Sequence, residues 1–214
     1  MREIGFLFDL DGVLIDSERE YTRIWEEIND VYPTGKEEFA LQIKGQTLGK
    51  ILTENYPDEE TRGKVKEMLH TLEQAMKYTY CKGAEEFIDT LKTKGGKMAV
   101  VTSSDEVKMK HLYEDVPGFR EKINVIIDAS KVSRSKPDPE GYLKGALETE
   151  VDIRKCAVFE DSVQGVKAGK AAGAYVVGIT GTKSRSELLP YSDVVVDELS
   201  EIDIEDLSQI LRER

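Results

Sequence analysis

Asp9 and Asp11 stand two residues apart, directly after the apolar run Ile4-Gly5-Phe6-Leu7-Phe8, and Gly12 follows them. Three more polar segments each follow an apolar run. Thr102-Ser103-Ser104 comes after Met98-Ala99-Val100-Val101, and Ser135-Lys136-Pro137-Asp138-Pro139 lies beyond Val125-Ile126-Ile127. Glu160-Asp161-Ser162 comes after Ala157-Val158-Phe159. Two carboxylates at i and i+2, joined by a third from a neighbouring strand, make a hard oxygen site suited to Mg²⁺. A lysine and a hydroxyl beside them would grip an anion bridged to that ion. Phosphate fits, because its transfer needs charge neutralisation and positioning more than covalent chemistry. One carboxylate can attack phosphorus, and the other can protonate the leaving oxygen and later take a proton from water. Singly, each piece has a plainer explanation. Asp-x-Asp-Gly suits a turn, Thr102 and Ser103 suit helix caps, Lys136 suits a solvated loop, and Glu160-Asp161 suits a helix N-terminus. Four such features at four strand ends point instead to one site.

The elements that must position these residues are legible in the hydropathy pattern. The four runs above, with Tyr175-Val176-Val177-Gly178-Ile179 and Val194-Val195-Val196, read as strands buried on both faces, as parallel sheets require. Helical stretches over 84–94, 104–114, 139–149, 163–172, 184–189 and 204–213 alternate with them. The pattern predicts an α/β fold with a doubly wound parallel sheet, in which ligands bind beyond the carboxyl ends of the strands. Ser103 with Glu106 suits a capping box, and Asp138 before Pro139 suits an N-cap with proline in the first helical position. Between the first two strands the alternation fails. Tyr21, Ile24, Trp25, Ile28 and Val31 recur at helical spacing behind Ser17…Glu20, and further helices are expected near 36–44, 47–54 and 58–80. The expected organisation is a core of residues 1–16 and 81–214, with a helical domain of 17–80 inserted after the first strand.

Composition narrows the partners. The 214 residues carry 30 Lys and Arg against 42 Asp and Glu, a net charge of −12. Nucleic acid and anionic lipid would repel such a chain, and no stretch approaches the ~20 apolar residues of a bilayer crossing. Cys81 and Cys156 lack metal-ligand spacing, and His70 and His111 cannot supply a zinc triad. Two isolated cysteines and an opening apolar run too short for a signal peptide lead us to expect a reducing, cytoplasmic compartment. A monomer is expected, with a dimer left open.

Asp9-Leu10-Asp11-Gly12-Val13, Val100-Val101-Thr102-Ser103, Lys136-Pro137 and Glu160-Asp161 together resemble the four-motif signature of the haloacid dehalogenase superfamily. The likeness runs from residue 4 to about residue 196. Asp16-Ser17-Glu18, Ser135-Lys136-Pro137-Asp138-Pro139 and Glu160-Asp161-Ser162-Val163-Gln164-Gly165 further resemble its β-phosphoglucomutase-like branch, whose small helical cap matches the insert. The resemblance implies a Rossmann-like core with Mg²⁺ as cofactor and a small phosphorylated metabolite as substrate. It implies that Asp9 is nucleophile and metal ligand, and that Asp11 is general acid/base with its backbone carbonyl on the metal. Thr102, Ser103 and Lys136 would hold the phosphoryl group, and Asp161 would complete the metal shell with Glu160 in support.

The resemblance also frames the choice of reaction. β-Phosphoglucomutases protect their aspartyl-phosphate with a histidine early in the first cap helix and grip the second phosphate with a cap arginine. Tyr21 and Leu48 stand at the matching positions here, so a phosphatase is expected and a phosphomutase is the alternative. Lys44 or Lys50 could replace the arginine only as a point charge. A phosphonatase would need one of them desolvated as a Schiff-base amine, which their polar neighbours do not suggest. A phospho-accepting signalling domain would not need so long an insert. Tyr21, Lys44, Gly45, Gln46, Thr47 and Lys50 are the expected substrate contacts of a cap that closes over Asp9 on a sugar or polyol phosphate.

Overall fold

The computed structural model describes residues 1, 3–43 and 48–214. The chain divides into two compact units, Met1–Asp16 with Tyr78–Arg214, and Ser17–Lys77.

In the first unit six strands form one parallel sheet, β1 (Gly5–Phe8), β2 (Lys97–Val101), β3 (Val125–Ile127), β4 (Cys156–Glu160), β5 (Tyr175–Ile179) and β6 (Val194–Val196). Their order is β3-β2-β1-β4-β5-β6, a doubly wound arrangement with β1 at the centre. Leu7 pairs in register with Ala99 on one side and Val158 on the other. Phe6, Leu7 and Phe8 are fully buried, each contributing about 1.5–3 kcal/mol by leaving water. Phe8 stacks on Phe159 at 4.5 Å between ring centroids and meets Phe87 edge-on at 6.2 Å. The helices Ala84–Thr93, Glu106–Asp115, Glu140–Glu148, Val163–Ala172 and Ile204–Arg212 alternate with the strands.

Helix boundaries depart from expectation in instructive ways. Asp105, not Ser103, caps the Glu106–Asp115 helix, its carboxylate accepting from Lys108 N at 2.9 Å. Ser104 N is already taken by Thr102 Oγ1 at 3.0 Å and Ser104 O by Ala129 N, which holds 102–104 in a tight turn before the helix. The helix Glu140–Glu148 starts one residue later than Pro139. Asp138 still serves its first turn, accepting from Glu140 N at 3.0 Å. A four-residue helix, Phe119–Lys122, had no clear sequence signal.

Among its described residues the regular structure of the second unit is all helical: Ser17–Val31, Phe39–Gln42, Leu48–Asn55 and Glu59–Gln74. Ile24, Trp25, Ile28, Val65 and Leu69 form its interior. The expected 36–44 helix shrinks to four residues, and the last helix ends at Gln74 rather than 80. The second junction therefore falls before Tyr78, not at 80/81. Residues 78–80 are held by the first unit: Tyr78 N donates to Asp115, Thr79 O accepts from Asp16 N, and Tyr80 bridges to Ile15.

Candidate active site

The strand ends bring the sequence motifs together. The β1 ladder runs one residue past its strand, where Asp9 N donates to Phe159 O at 2.9 Å. Thr102 N does the same for β2, donating to Ile127 O at 2.9 Å. The backbones of Asp9 and Thr102 are thus fixed by the sheet itself. Asp9 is 9% exposed, Thr102 4%, Asp161 4% and Glu160 0%. Burying that many carboxyl groups is costly unless they are paired.

Lys136 supplies the pairing. Its ammonium contacts Asp9 Oδ1, and it lies 2.6 Å from Glu160 Oε1 and 3.0 Å from Val101 O. The segment that carries it is tied to the following helix. Glu140 accepts from the N–H groups of Ser133 and Arg134 at 2.9 and 3.0 Å and pairs with Lys144 at 2.7 Å. Burial would lower the Lys136 pKa, but the Asp9 and Glu160 charges outweigh it and raise it. Burial pushes Asp9 up to about 7 against the pull of Lys136, with Glu160 and Asp11 adding to the rise. Asp161 is likewise held well above its ordinary value, by burial first and then by Asp9 and Glu160. One lysine does not neutralise this set.

Asp9, Glu160 and Asp161 each present an oxygen, and the three lie within 4.8 Å of one another. Asp9 and Asp161, hard carboxylates whose ionised form burial disfavours, fit a divalent cation such as Mg²⁺ at this cluster. Gly12 makes room for the Asp161 carboxylate. Its φ is +76°, and a Cβ there would lie 2.1 Å from Asp161 Oδ2. Asp11 takes a different partner. Lys108 Nζ spans its two oxygens at 2.7 and 2.8 Å, and Ser104 Oγ donates to Oδ2 at 3.0 Å. Thr102, Ser103 and Lys136 share the lining of a cavity of about 230 Å³ in this unit.

Three contributors to the site escaped sequence reasoning. Lys108 pairs with Asp11, Thr182 donates to Asp161 Oδ2, and Tyr142 OH donates to Glu160 Oε1 at 2.6 Å. Lys108 reads as an ordinary helix lysine, and Thr182 sits in a loop without motif character. Tyr142 carried a faint signal, an aromatic six residues after Lys136 on a helix that the sheet must bury. Of the expected substrate contacts, Lys44, Gly45, Gln46 and Thr47 lie outside the described residues. Lys50 falls in the Leu48–Asn55 helix, its side chain likewise outside the description. Tyr21 lines a cavity of about 330 Å³ inside the helical unit with Glu18, Trp25 and Glu73, and its hydroxyl donates to Glu73 at 3.0 Å.

A parallel sheet whose central strand ends on a buried aspartate, beside a lysine and carboxylates that could hold a cation, is an arrangement suited to phosphoryl transfer. Residues 6–179 match the model of the haloacid dehalogenase-like hydrolases, and the chain belongs to that family. It is 32% identical over 206 residues to a bifunctional riboflavin kinase/FMN phosphatase of Arabidopsis thaliana, covering 94% of this chain and 53% of that protein. The chain thus spans about half the length of that relative. It is 28% identical over 211 residues to hexitol phosphatase A of Escherichia coli, with 95% of each chain covered. The fold is shared with β-phosphoglucomutase of Clostridium difficile, at a TM-score of 0.73 and 24% identity, over 100% of this chain and 98% of that one. The family is one of hydrolases, and the fold that the chain shares with β-phosphoglucomutase is that of the sheet and site described above. Among the described residues no helix is long and apolar enough to cross a membrane.

Proposed function

We propose that the chain is a Mg²⁺-dependent phosphatase of a small sugar or polyol phosphate, working through an aspartyl-phosphate on Asp9. The observation that carries this reading is the shared ammonium of Lys136, which touches Asp9 and Glu160 at the mouth of the sheet. A carboxylate held there meets an incoming phosphorus atom with a cation already beside it. Thr102, Ser103 and Lys136 bind the phosphoryl oxygens, and Asp9 attacks phosphorus. Asp11 gives its proton to the leaving oxygen. Asp11 then takes a proton from a water molecule, which attacks the aspartyl-phosphate, releasing inorganic phosphate and restoring the Asp9 carboxylate. Asp9, Asp161 and the Asp11 carbonyl are the groups that would hold Mg²⁺, which when bound neutralises charge shared by the carboxylates and the substrate.

Hexitol phosphatase A supports a polyol phosphate as substrate, and the hydroxyl and carboxylate groups of Tyr21, Glu18 and Glu73 around a cavity in the helical unit suit a polyhydroxylated ligand. Tyr21 in place of the mutase histidine favours release of the phosphoryl group to water. A phosphate-release screen over hexitol, sugar and nucleotide phosphates tests the reading, with EDTA and added Mg²⁺ as controls. Turnover in EDTA would refute the metal requirement. Faster conversion of β-glucose 1-phosphate to glucose 6-phosphate than phosphate release, with a trace of the 1,6-bisphosphate, would make the chain a mutase.

A further inference from the structure

Glu160 is the most buried acid of the site, at 0% exposure, yet its carboxylate is occupied by protein groups on both oxygens. Oε1 accepts from Lys136 Nζ and from Tyr142 OH, each at 2.6 Å. Oε2 accepts from Ser162 Oγ at 3.0 Å and Ser162 N at 3.3 Å. The carboxylate also lies flat against the first turn of the Val163–Ala172 helix. A Cβ at Gly165 would come within 1.8 Å of it, so only glycine admits it there. Asp161 is placed otherwise. Its Oδ2 accepts from the Thr182 hydroxyl, and it faces the Asp9 carboxylate from the next position along the chain.

A carboxylate has roughly four lone-pair directions, and four donors already use those of Glu160. Binding a divalent cation directly would require Glu160 to give up at least one of these donors while fully buried, leaving a polar group unpaired at a cost of about 1–3 kcal/mol. On Oε1 the displaced donor would be Lys136 or Tyr142, and Tyr142, itself fully buried, would in the second case lose the hydroxyl partner that Glu160 now supplies. Asp9 and Asp161 meet no comparable obstacle.

We propose that Glu160 is not a metal ligand but the anchor of Lys136, and that Tyr142 is the positioning residue that holds it in that role. The carboxylate fixes the ammonium against Asp9, and the Tyr142 hydroxyl fixes the carboxylate. Lys136 also lies over the Tyr142 ring, 5.2 Å from its centroid, so one side chain braces both partners. Without the hydroxyl, Oε1 turns more of its charge on Lys136 and both gain freedom to move. Either change weakens the hold of Lys136 on a phosphoryl oxygen.

This inference rests on the phosphatase reading, and Tyr142→Phe tests it without changing any charge. Mg²⁺ affinity is measured by calorimetry on the metal-free protein, and inorganic phosphate affinity at saturating Mg²⁺, for the wild type and the variant. Ser162→Ala, which removes a single donor from the other oxygen, serves as a milder second variant should Tyr142→Phe fold poorly. The expected result is phosphate binding weakened about 3- to 10-fold with Mg²⁺ affinity held within about twofold. A loss of about 10- to 100-fold in Mg²⁺ affinity, the effect of removing a partner that orients a metal ligand, would overturn the proposal and make Glu160 a ligand. Unchanged phosphate affinity in both variants would also overturn it. Failure of the phosphatase reading is distinct, because the wild type itself would then bind neither Mg²⁺ nor phosphate.

Discussion

Lys108 lays its ammonium across both carboxylate oxygens of Asp11, at 2.7 and 2.8 Å, although the two residues are 97 positions apart. The site therefore assigns each aspartate of the Asp9-Leu10-Asp11 segment its own lysine. Lys136 meets Asp9, the proposed nucleophile, and Lys108 meets Asp11, the proposed acid and base. The two pairs differ in surroundings. The Lys136 and Asp9 side chains are 14% and 13% exposed, those of Lys108 and Asp11 19% and 31%. The more open pair can exchange partners with a leaving group at lower cost.

Lys108→Met should therefore lower activity through orientation of Asp11 rather than through stability, since ion pairs open to water contribute about 0–1 kcal/mol. General acid catalysis contributes about 10²- to 10⁴-fold where a leaving group needs a proton. The expected loss is about tenfold for alkyl phosphates and much less for p-nitrophenyl phosphate, whose leaving group needs no proton. Steady-state kinetics on both esters checks this, and equal losses would contradict it.

Thr182→Val removes the hydroxyl that donates to Asp161 Oδ2. Losing such a partner costs a metal site about 10- to 100-fold in affinity. Calorimetric titration with Mg²⁺ should show a loss in that range with little change in thermal midpoint. An unchanged affinity would remove Asp161 from the metal shell.

The raised Asp9 pKa has a consequence for stability in the absence of metal. Burial lifts it from 3.8 to about 7, so between those values the folded chain binds a proton that the unfolded chain has released. This contribution to stability is present at low pH and is lost as pH rises through about 7. Asp9→Asn, which cannot ionise, should overtake the wild type in thermal midpoint in EDTA as pH goes from 5 to 8. Added Mg²⁺ should shrink that gap for the wild type at pH 8. A gap independent of pH would contradict the assignment.

Both cysteines should be inert in the folded chain. Burial pushes the thiols of Cys81 and Cys156 up to about 12, with Asp16 adding to the rise at Cys81 and Asp152 at Cys156. The thiolate is the reactive form, so iodoacetamide at pH 8 should label neither within the time that labels both in denaturant. Mass spectrometry reads the outcome, and rapid native labelling of Cys81 would show that it is more open than the fold implies.

Much of this arrangement was legible in the sequence because the site is built from strand ends. A run such as Ile4–Phe8 declares a buried strand by composition, and the next polar residue then falls at its carboxyl edge without further information. Asp9, Thr102 and Glu160 all follow that rule, Asp161 comes one position after Glu160, and Lys136 falls to the segment beyond β3. Lys108, Tyr142 and Thr182 do not, because each reaches the site across the fold from an element whose local pattern is ordinary. Helix starts were blurred for a related reason. Ser103 suits a cap by residue type, but Asp105 caps the helix, and Thr102 Oγ1 holds Ser104 N in the turn before it.

The covalent step on Asp9 is tested most directly in Asp11→Asn, which should form the aspartyl-phosphate from p-nitrophenyl phosphate but release it slowly. Rapid acid quenching of that variant with substrate and Mg²⁺, followed by peptide mass spectrometry, should find one phosphoryl group on the peptide that contains Asp9. Substrate turnover with no phosphoryl group on the protein, or a phosphoryl group on any other residue, would contradict the assignment of Asp9 as nucleophile.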